Sequence, residues 1–466
     1  MSEPPRGCMQ LFWHRDDLRR TDNVGLAAAA AAAAPVQPVL IRDAQRDAER
    51  GRRASALHHR GVGALVDAYR EDEVGVICAS GEPDAVIDDL IDEHGITAVH
   101  CNRVDTPVGR RRTEAVAAVC AARGVPCEVH VDHVLIDPAE LAPRYPSYSA
   151  FRRAWQAETV PDPVPAPPRE RFAGVDVGTT AEPPTVAIGL PPAGESAAQA
   201  HLEGFVTAAL SAYADRRDDL AGAVGAEPGP VSELSPYLAR GMVGPRTVYA
   251  AATPSDDRGA RKFRDELCWR EFYQHLLFHH PELASRDYRS DQAPIDWRED
   301  PAGVAAWTAG MTGYPLVDAG MRQLTARGYI HNRPRQVAAS FLCKHLLVDW
   351  RVGAAHFADL LFDHDLASNA GNWQWVGSTG TDTVRCRIFD PVSQARKYDA
   401  TGAFIRRWVP ELADVDAADI IAWPTLTGDR RRSLAPAYPD PIVERDPAYD
   451  RARRVVTAAV ESTPTG

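Results

Sequence analysis

Nine prolines fall between Pro161 and Pro192, with Gly and Ala between them and no sustained period. Proline has no backbone N–H and holds its φ near one value, so such a run fits neither a helix interior nor a central strand. It reads as an extended linker that divides the chain into two stretches of different pattern. Ahead of it, short β-branched runs alternate with helical spacing. From about residue 197 the pattern is helical almost to the end.

In the first stretch, residues 10–13, 36–41, 74–78, 98–101 and 127–134 read as strands. Eight successive alanines before Pro35, and residues 54–69, 83–94 and 110–123, read as helices. Alternation at this spacing implies a parallel sheet covered on both faces, with a ligand crevice at the carboxyl ends of its strands. There is no Gly-x-Gly-x-x-Gly, so the dinucleotide fingerprint of such sheets is missing. The expected fold is α/β: a Rossmann-like parallel-sheet domain over residues 1–135, a linker over 136–196 and an all-helical domain over 197–466.

A chain of 466 residues can bury two or three cores. It has no apolar run long enough to span a bilayer and no basic region followed by an apolar segment at its start, so the expectation is a cytoplasmic protein. The eight cysteines form no Cys-x-x-Cys pair, and His275 and His279 lack a third ligand at a convincing spacing; no metal is expected. A formal net charge of −12 argues against general nucleic-acid binding. Even so, Arg322, Arg333, Arg335, Arg385, Arg387, Arg396, Lys397, Arg406 and Arg407 cluster in one stretch, enough for a basic patch on an acidic body.

That stretch, residues 310–412, sets Trp, Asn, Arg and Asp inside otherwise apolar helical pattern. It contains Thr312-Gly313-Tyr314-Pro315, His331-Asn332-Arg333-Pro334-Arg335, Asp363-His364-Asp365-Leu366 and Gly371-Asn372-Trp373-Gln374-Trp375. An unpaired buried polar group costs about 1–3 kcal/mol. Such residues are therefore expected to surround a polar ligand that also presents a flat face. Residues 262–280 read as a helix that places Glu266, Trp269, Arg270 and Tyr273 at i, i+3, i+4 and i+7, on one face. A buried Glu–Arg pair under a tryptophan is the bland alternative there. In Ser232-Glu233-Leu234-Ser235-Pro236-Tyr237, Ser235 fits an N-cap and Pro236 the first helical position, leaving N–H groups that suit a pyrophosphate.

These motifs resemble the DNA photolyase/cryptochrome family, most closely its class I cyclobutane pyrimidine dimer photolyases. Glu266-Leu267-Cys268-Trp269-Arg270-Glu271-Phe272-Tyr273, Arg387-Ile388-Phe389-Asp390-Pro391, Phe404-Ile405-Arg406-Arg407-Trp408 and the N-terminal Phe12-Trp13-His14-Arg15-Asp16-Asp17-Leu18-Arg19 extend the resemblance over almost the whole chain. It implies that the helical domain binds FAD through Tyr213, Ser232, Glu233, Leu234, Ser235, Phe263, Arg270, Arg335, Asp363, His364, Asp365 and Asn369. It further implies a dimer pocket in which Glu266 stabilises the electron-bearing dimer, Trp269 and Trp375 form flat walls, and Asn332 and Arg333 contact DNA. Arg270, Tyr273, Arg387 and Gln394 would extend the DNA face, and Trp297, Trp350 and Trp373 would carry electrons to the flavin.

The implied activity is blue-light repair of UV-damaged DNA by a monomer. A cryptochrome-like photoreceptor is the alternative, and a helical flavoprotein without light chemistry is a third. In this family the parallel-sheet domain carries an antenna chromophore. Gly109 and Arg110 stand where the folate-binding asparagine and glutamate would be, so a deazaflavin is expected ahead of a folate, with another flavin or no antenna as the open alternatives. Three departures from the pattern stand out: Val231 for a threonine, Gln336 for a methionine at the dimer site, and His345 for the aspartate expected to partner Arg335. Asn369, matching the position beside flavin N5, favours repair over signalling.

Overall fold

The alternating half folds into a sheet in which every neighbour is parallel. A computed structural model describes residues 9–178, 185–220, 229–290, 292–384 and 386–461. Its strands are β1 (Met9–His14), β2 (Val36–Arg42), β3 (Ile77–Ser80), β4 (Ile96–Asn102) and β5 (Cys127–His130), in the order β3-β2-β1-β4-β5. Phe12 stands opposite Pro38 on one side and His100 on the other. The period of two divides β1 between layers: Leu11 and Trp13 pack with Ile87, Leu90 and Val116, while Phe12 packs with Leu26 and Ala29 of the alanine helix Val24–Ala31.

Two strands differ from expectation. β3 begins at Ile77 rather than Val74, and the chain beyond the proline run adds to it, with Cys78 N–H donating to the Val177 carbonyl at 2.9 Å. β5 stops at His130 because Asp132 turns away to meet two arginines. Asp132 accepts from Arg19 at 2.6 Å and from Arg246 at 2.7 Å, and Arg246 also donates to Asp22 at 2.6 Å. All four side chains are buried. A buried charge is tolerated only when paired and hydrogen-bonded, so this cluster specifies how the two halves meet. Arg53 adds a second tie, reaching the carbonyls of Leu324, Thr325 and Leu360 at 2.8–3.2 Å, where two helices of the second half end. One apolar core runs through both halves, joining Leu18 and Leu57 to Phe205, Phe263 and Phe272.

The second half is helical, and four helices matter most: Arg258–His279, Asn332–Ser340, Trp350–Leu360 and Leu366–Gly377. Among the described residues no helix is long and apolar enough to cross a membrane. The first and last of the four lie in close contact at Gly371, where an added Cβ would fall 2.1 Å from the Tyr273 ring. Gly353 is as tight against Trp373, also at 2.1 Å. Gly371→Ala should therefore destabilise the protein by about 1–3 kcal/mol, read as a lower thermal midpoint of the full chain. An unchanged midpoint would mean that the two helices part freely.

Candidate functional site

These four helices enclose a cavity of about 1200 Å³, counting the solvent at its mouth. Ser232, Glu233 and Ser235 line one end, with Arg335, Asp363, His364, Asp365 and Asn369 beside them, and Tyr213 lines the wall beside Arg217, whose guanidinium lies 5.4 Å from its ring. Glu266, Asn332 and Trp375 line the other end, and Trp373 stands in the wall between. Tyr329, Ile330, Ala339, Phe357, Leu361 and Val376 supply an apolar lining that carries no sequence signal of its own.

At the first end, Asp363 is the organising group. Arg335 Nη2 donates to it at 3.1 Å and the Ser235 hydroxyl at 2.8 Å. Ser235 is thus not the helix cap: the helix Ser235–Ala239 starts at that residue, Leu234 occupies the cap position, and the hydroxyl is committed to Asp363. Asp363 is also the carboxylate partner of Arg335. His345 lies elsewhere, in the π-helical turn Phe341–Leu346, with its ring 4.8 Å from Phe341 and 5.0 Å from Tyr449; burial pushes its pKa down to about 4, so it is neutral. Asn369 donates its amide nitrogen to the Ala354 carbonyl at 3.0 Å, which leaves its side-chain oxygen as the free acceptor. Asp365 caps the helix Leu366–Gly377 through Ser368 N–H at 2.8 Å and accepts from Gln274 at 2.9 Å. Burial pushes the Asp365 carboxyl up, but the Arg270 charge and these hydrogen bonds more than offset it and keep it ionised.

At the second end, Glu266 is held by Arg217 and by Lys262, the latter at 2.7 Å. Burial raises this carboxyl, and the Arg217 and Lys262 charges outweigh burial, so it sits below the usual glutamate range. Arg217 escaped the sequence reading because its partner lies 49 positions away. Arg333 is gripped by Asp218 at 3.0 and 2.6 Å and lies 4.8 Å from the Tyr398 ring. Arg387 pairs with Asp382 at 2.7 and 3.1 Å and covers Trp375 at 5.0 Å.

The shared face of the helix Arg258–His279 does not act as one wall. Trp269 is stacked on Tyr148 at 3.5 Å and does not line the cavity, Arg270 turns to the His133 carbonyl at 2.8 Å, and Tyr273 is packed against Gly371. Phe263 and Leu234 belong to the core behind Tyr213. In the basic stretch, Arg322 pairs with Glu411 at 2.7 Å and Arg406 donates to the Thr401 and Val415 carbonyls. Arg385 lies outside the described residues. Arg396 and Lys397 remain exposed on the helix Pro391–Tyr398, which also carries the half-buried Gln394.

Of the three tryptophans, Trp373 is buried in the cavity wall, Trp350 is buried with its Nε1 donating to Asp287 at 2.9 Å, and Trp297 is half-buried. Separate cavities lie at the carboxyl ends of β1, β2 and β4. One is lined by Trp13, Ile41, Arg46 and Arg50, and another, between the halves, by Arg15, Asn102, Arg240 and Arg270. Arg240 donates to the His364 carbonyl at 2.6 Å, while its Nε and Nη1 meet no acceptor among the described residues.

A parallel sheet locked to a helical body, with a cavity of about 1200 Å³ in the helical half lined by charged, amide and aromatic side chains, is the architecture of a protein with room for a large polar ligand. The family model described as the FAD binding domain of DNA photolyase matches residues 263–458, and the one described as DNA photolyase matches residues 10–169. The deoxyribodipyrimidine photo-lyase of Halobacterium salinarum is 38% identical, over 94% of this chain and 96% of its own. The crystal structure of a bacterial class III photolyase from Agrobacterium tumefaciens superposes with a TM-score of 0.86 at 34% identity, covering 99% of each chain. An archaeal photolyase from Sulfolobus tokodaii, solved with two FAD molecules, gives 0.83 at 28%, covering 97% of this chain and 100% of that one. The chain belongs to the DNA photolyase/cryptochrome family.

Because Glu266 lies below its unfolded pKa, its contribution to stability is present at neutral pH and is lost as pH falls through the folded value. Arg217→Met should lower stability at pH 7 by about 1–2 kcal/mol, less than for a fully buried pair because Glu266 is partly exposed. Thermal midpoints should show that deficit shrinking towards pH 4. A deficit independent of pH would mean that Arg217 acts by packing alone.

Proposed function

We propose that this protein repairs cyclobutane pyrimidine dimers in UV-damaged DNA under blue light, with FAD in the central cavity. The observation that carries this reading is the meeting of two chemistries in one cavity: Arg335, Asp363, Ser235 and the free Asn369 oxygen at one end, and Glu266, Asn332 and Trp375 at the other. Reduced FAD, when bound, supplies a single electron on blue-light excitation and takes it back once the dimer has split.

The chain's own residues bind and orient. Arg335, fixed by Asp363, sets a permanent positive charge beside an anionic ring. The Asn369 oxygen would be available to accept a ring N–H of the bound flavin. Ser232 and the backbone around Glu233 hold the phosphates. Flipping the dimer out of the duplex costs a few kcal/mol, less for a lesion that stacks poorly. In the cavity Trp375 offers it a flat wall, Glu266 accepts a base N–H, and Asn332 and Arg333 hold the strand at the mouth. Trp373, Trp350 and Trp297 would offer the oxidisable indoles through which an external reductant could deliver electrons to the cavity.

The activity assigned does not depend on subclass: the sequence resemblance runs to class I, whereas the Agrobacterium relative is described as class III. A second, light-harvesting chromophore is assigned to the cavities at the strand ends, a deazaflavin ahead of a folate. Arg110 donates to the Phe278 carbonyl at 2.6 Å and to the Asp105 carbonyl at 3.0 Å, so its Nη2 and Nε are engaged within the protein.

Blue light should restore thymine absorbance to a dimer-bearing oligothymidylate treated with the FAD-loaded, chemically reduced protein, and darkness should not. Glu266→Ala should cut that repair roughly tenfold, the value of a hydrogen bond to a charged group, with FAD content unchanged. No recovery in the light, with FAD bound and reduced, would transfer the assignment to a photoreceptor. Trp373→Phe should slow photoreduction of oxidised FAD, followed at its visible absorption, and spare repair by chemically reduced protein. Normal photoreduction in that variant would remove Trp373 from the path.

A further inference from the structure

Resting on the repair reading above, we propose that Gln336 reads the C4 substituent of the flipped base, so that the cavity prefers dimers of thymine to dimers of cytosine. Gln336 lies on the helix Asn332–Ser340 and lines the cavity. Arg333 Nη1 donates to its side-chain oxygen at 3.0 Å. A guanidinium has only donors, so the amide cannot be turned over without setting N–H against N–H. Arg333 is itself immobilised by its two contacts with Asp218 and by the Tyr398 ring. The orientation of Gln336 is therefore dictated by chemistry: the oxygen is occupied, and the amide nitrogen of this cavity-lining side chain is left as a donor with no hydrogen-bond partner among the described residues.

The depth of the side chain selects the atom it meets. Along this helix Asn332 is exposed at the rim, Gln336 is half-buried one turn further in, and Ala339 is buried on the floor. A base swung in from a strand at the mouth enters with its glycosidic nitrogen towards the rim. C4 is directly across the ring from that nitrogen, so its substituent goes deepest. In thymine it is a carbonyl oxygen, an acceptor; in cytosine it is an amine, a donor. A fixed donor pairs with the first and opposes the second, and a site built to hydrogen-bond discriminates strongly against a group that leaves its own polar atom unpaired. When the dimer takes up an electron, negative charge grows on the same carbonyl, and the Gln336 N–H already points to it.

The test uses the full chain with FAD bound, in the dark, and short oligonucleotides that carry a single thymine–thymine or freshly prepared cytosine–cytosine cyclobutane dimer. Fluorescence anisotropy gives Kd. The wild-type protein should bind the thymine dimer about tenfold more tightly, as for one good base-edge contact. Gln336→Met removes the donor at similar volume and should shrink the thymine preference at least threefold, leaving only the share that Glu266 supplies through the thymine ring N–H. Gln336→Glu keeps an oxygen on Arg333 and presents a second oxygen to the cavity, so the preference should invert. If Gln336 served only to brace Arg333, the glutamate would brace it better and leave the preference as it was; that result, or an unchanged ratio in the methionine variant, overturns the proposal. Equal wild-type affinity for the two dimers also overturns it while leaving the repair assignment intact. A wild-type protein that binds neither dimer better than undamaged DNA removes both.

Discussion

The cavity depends on how closely two helices approach at Gly371. With no side chain there, the helix Leu366–Gly377 lies flat against Tyr273, and every functional group it carries takes its position from that contact. Gln374 completes the fit. It is fully buried, its amide nitrogen donates to the Leu283 and Arg286 carbonyls at 2.9 Å each, and its oxygen accepts from Tyr288 N–H at 2.7 Å. A buried amide with its hydrogen bonds made acts as a fixed pin. Trp373 and Trp375 flank the pin on either side in sequence, so their rings have little freedom to trade places.

Around the cavity mouth, charge alternates in sign: Lys262, Glu266, Arg217, Asp218, Arg333, then the dipole of Gln336. Each member is held by the next. Such a chain orients side chains that would otherwise have several rotamers, and it keeps the local charge near neutral in a region that is partly shielded from water. The opposite end follows the same rule on a smaller scale, with Asp363 tying Arg335 to Ser235.

The sheet, the helical half and the strand–helix alternation were legible in the sequence because period and turn chemistry are local. So was the collection of polar residues at the cavity, since unpaired polar groups do not sit on apolar helical positions without cause. What could not be read was which neighbour covers each side chain. Helical spacing placed Glu266, Trp269, Arg270 and Tyr273 on one face, but Tyr148, His133 and Gly371 arrive from distant parts of the chain and send three of them in different directions. Ser235 has the chemistry of a cap, and a carboxylate 128 positions away claims its hydroxyl. Asp363 rather than residue 345 partners Arg335 for a similar reason: the π-helical turn after Ser340 rotates His345 into an aromatic cluster.

The pairing of Arg333 with Asp218 and of Arg387 with Asp382 bears on how ionic strength acts on the protein. Free arginines that meet DNA phosphates release condensed counterions, and affinity then falls steeply as salt rises. Here the aspartates already occupy the guanidinium forks, so a phosphate must compete with an internal anion and fewer counterions are exchanged. On a body of net charge −12 this leaves little long-range pull towards undamaged duplex. On the repair reading proposed above, selectivity would lie with whatever enters the cavity, and a search along DNA would proceed by brief, weak encounters rather than by sliding under strong phosphate attraction.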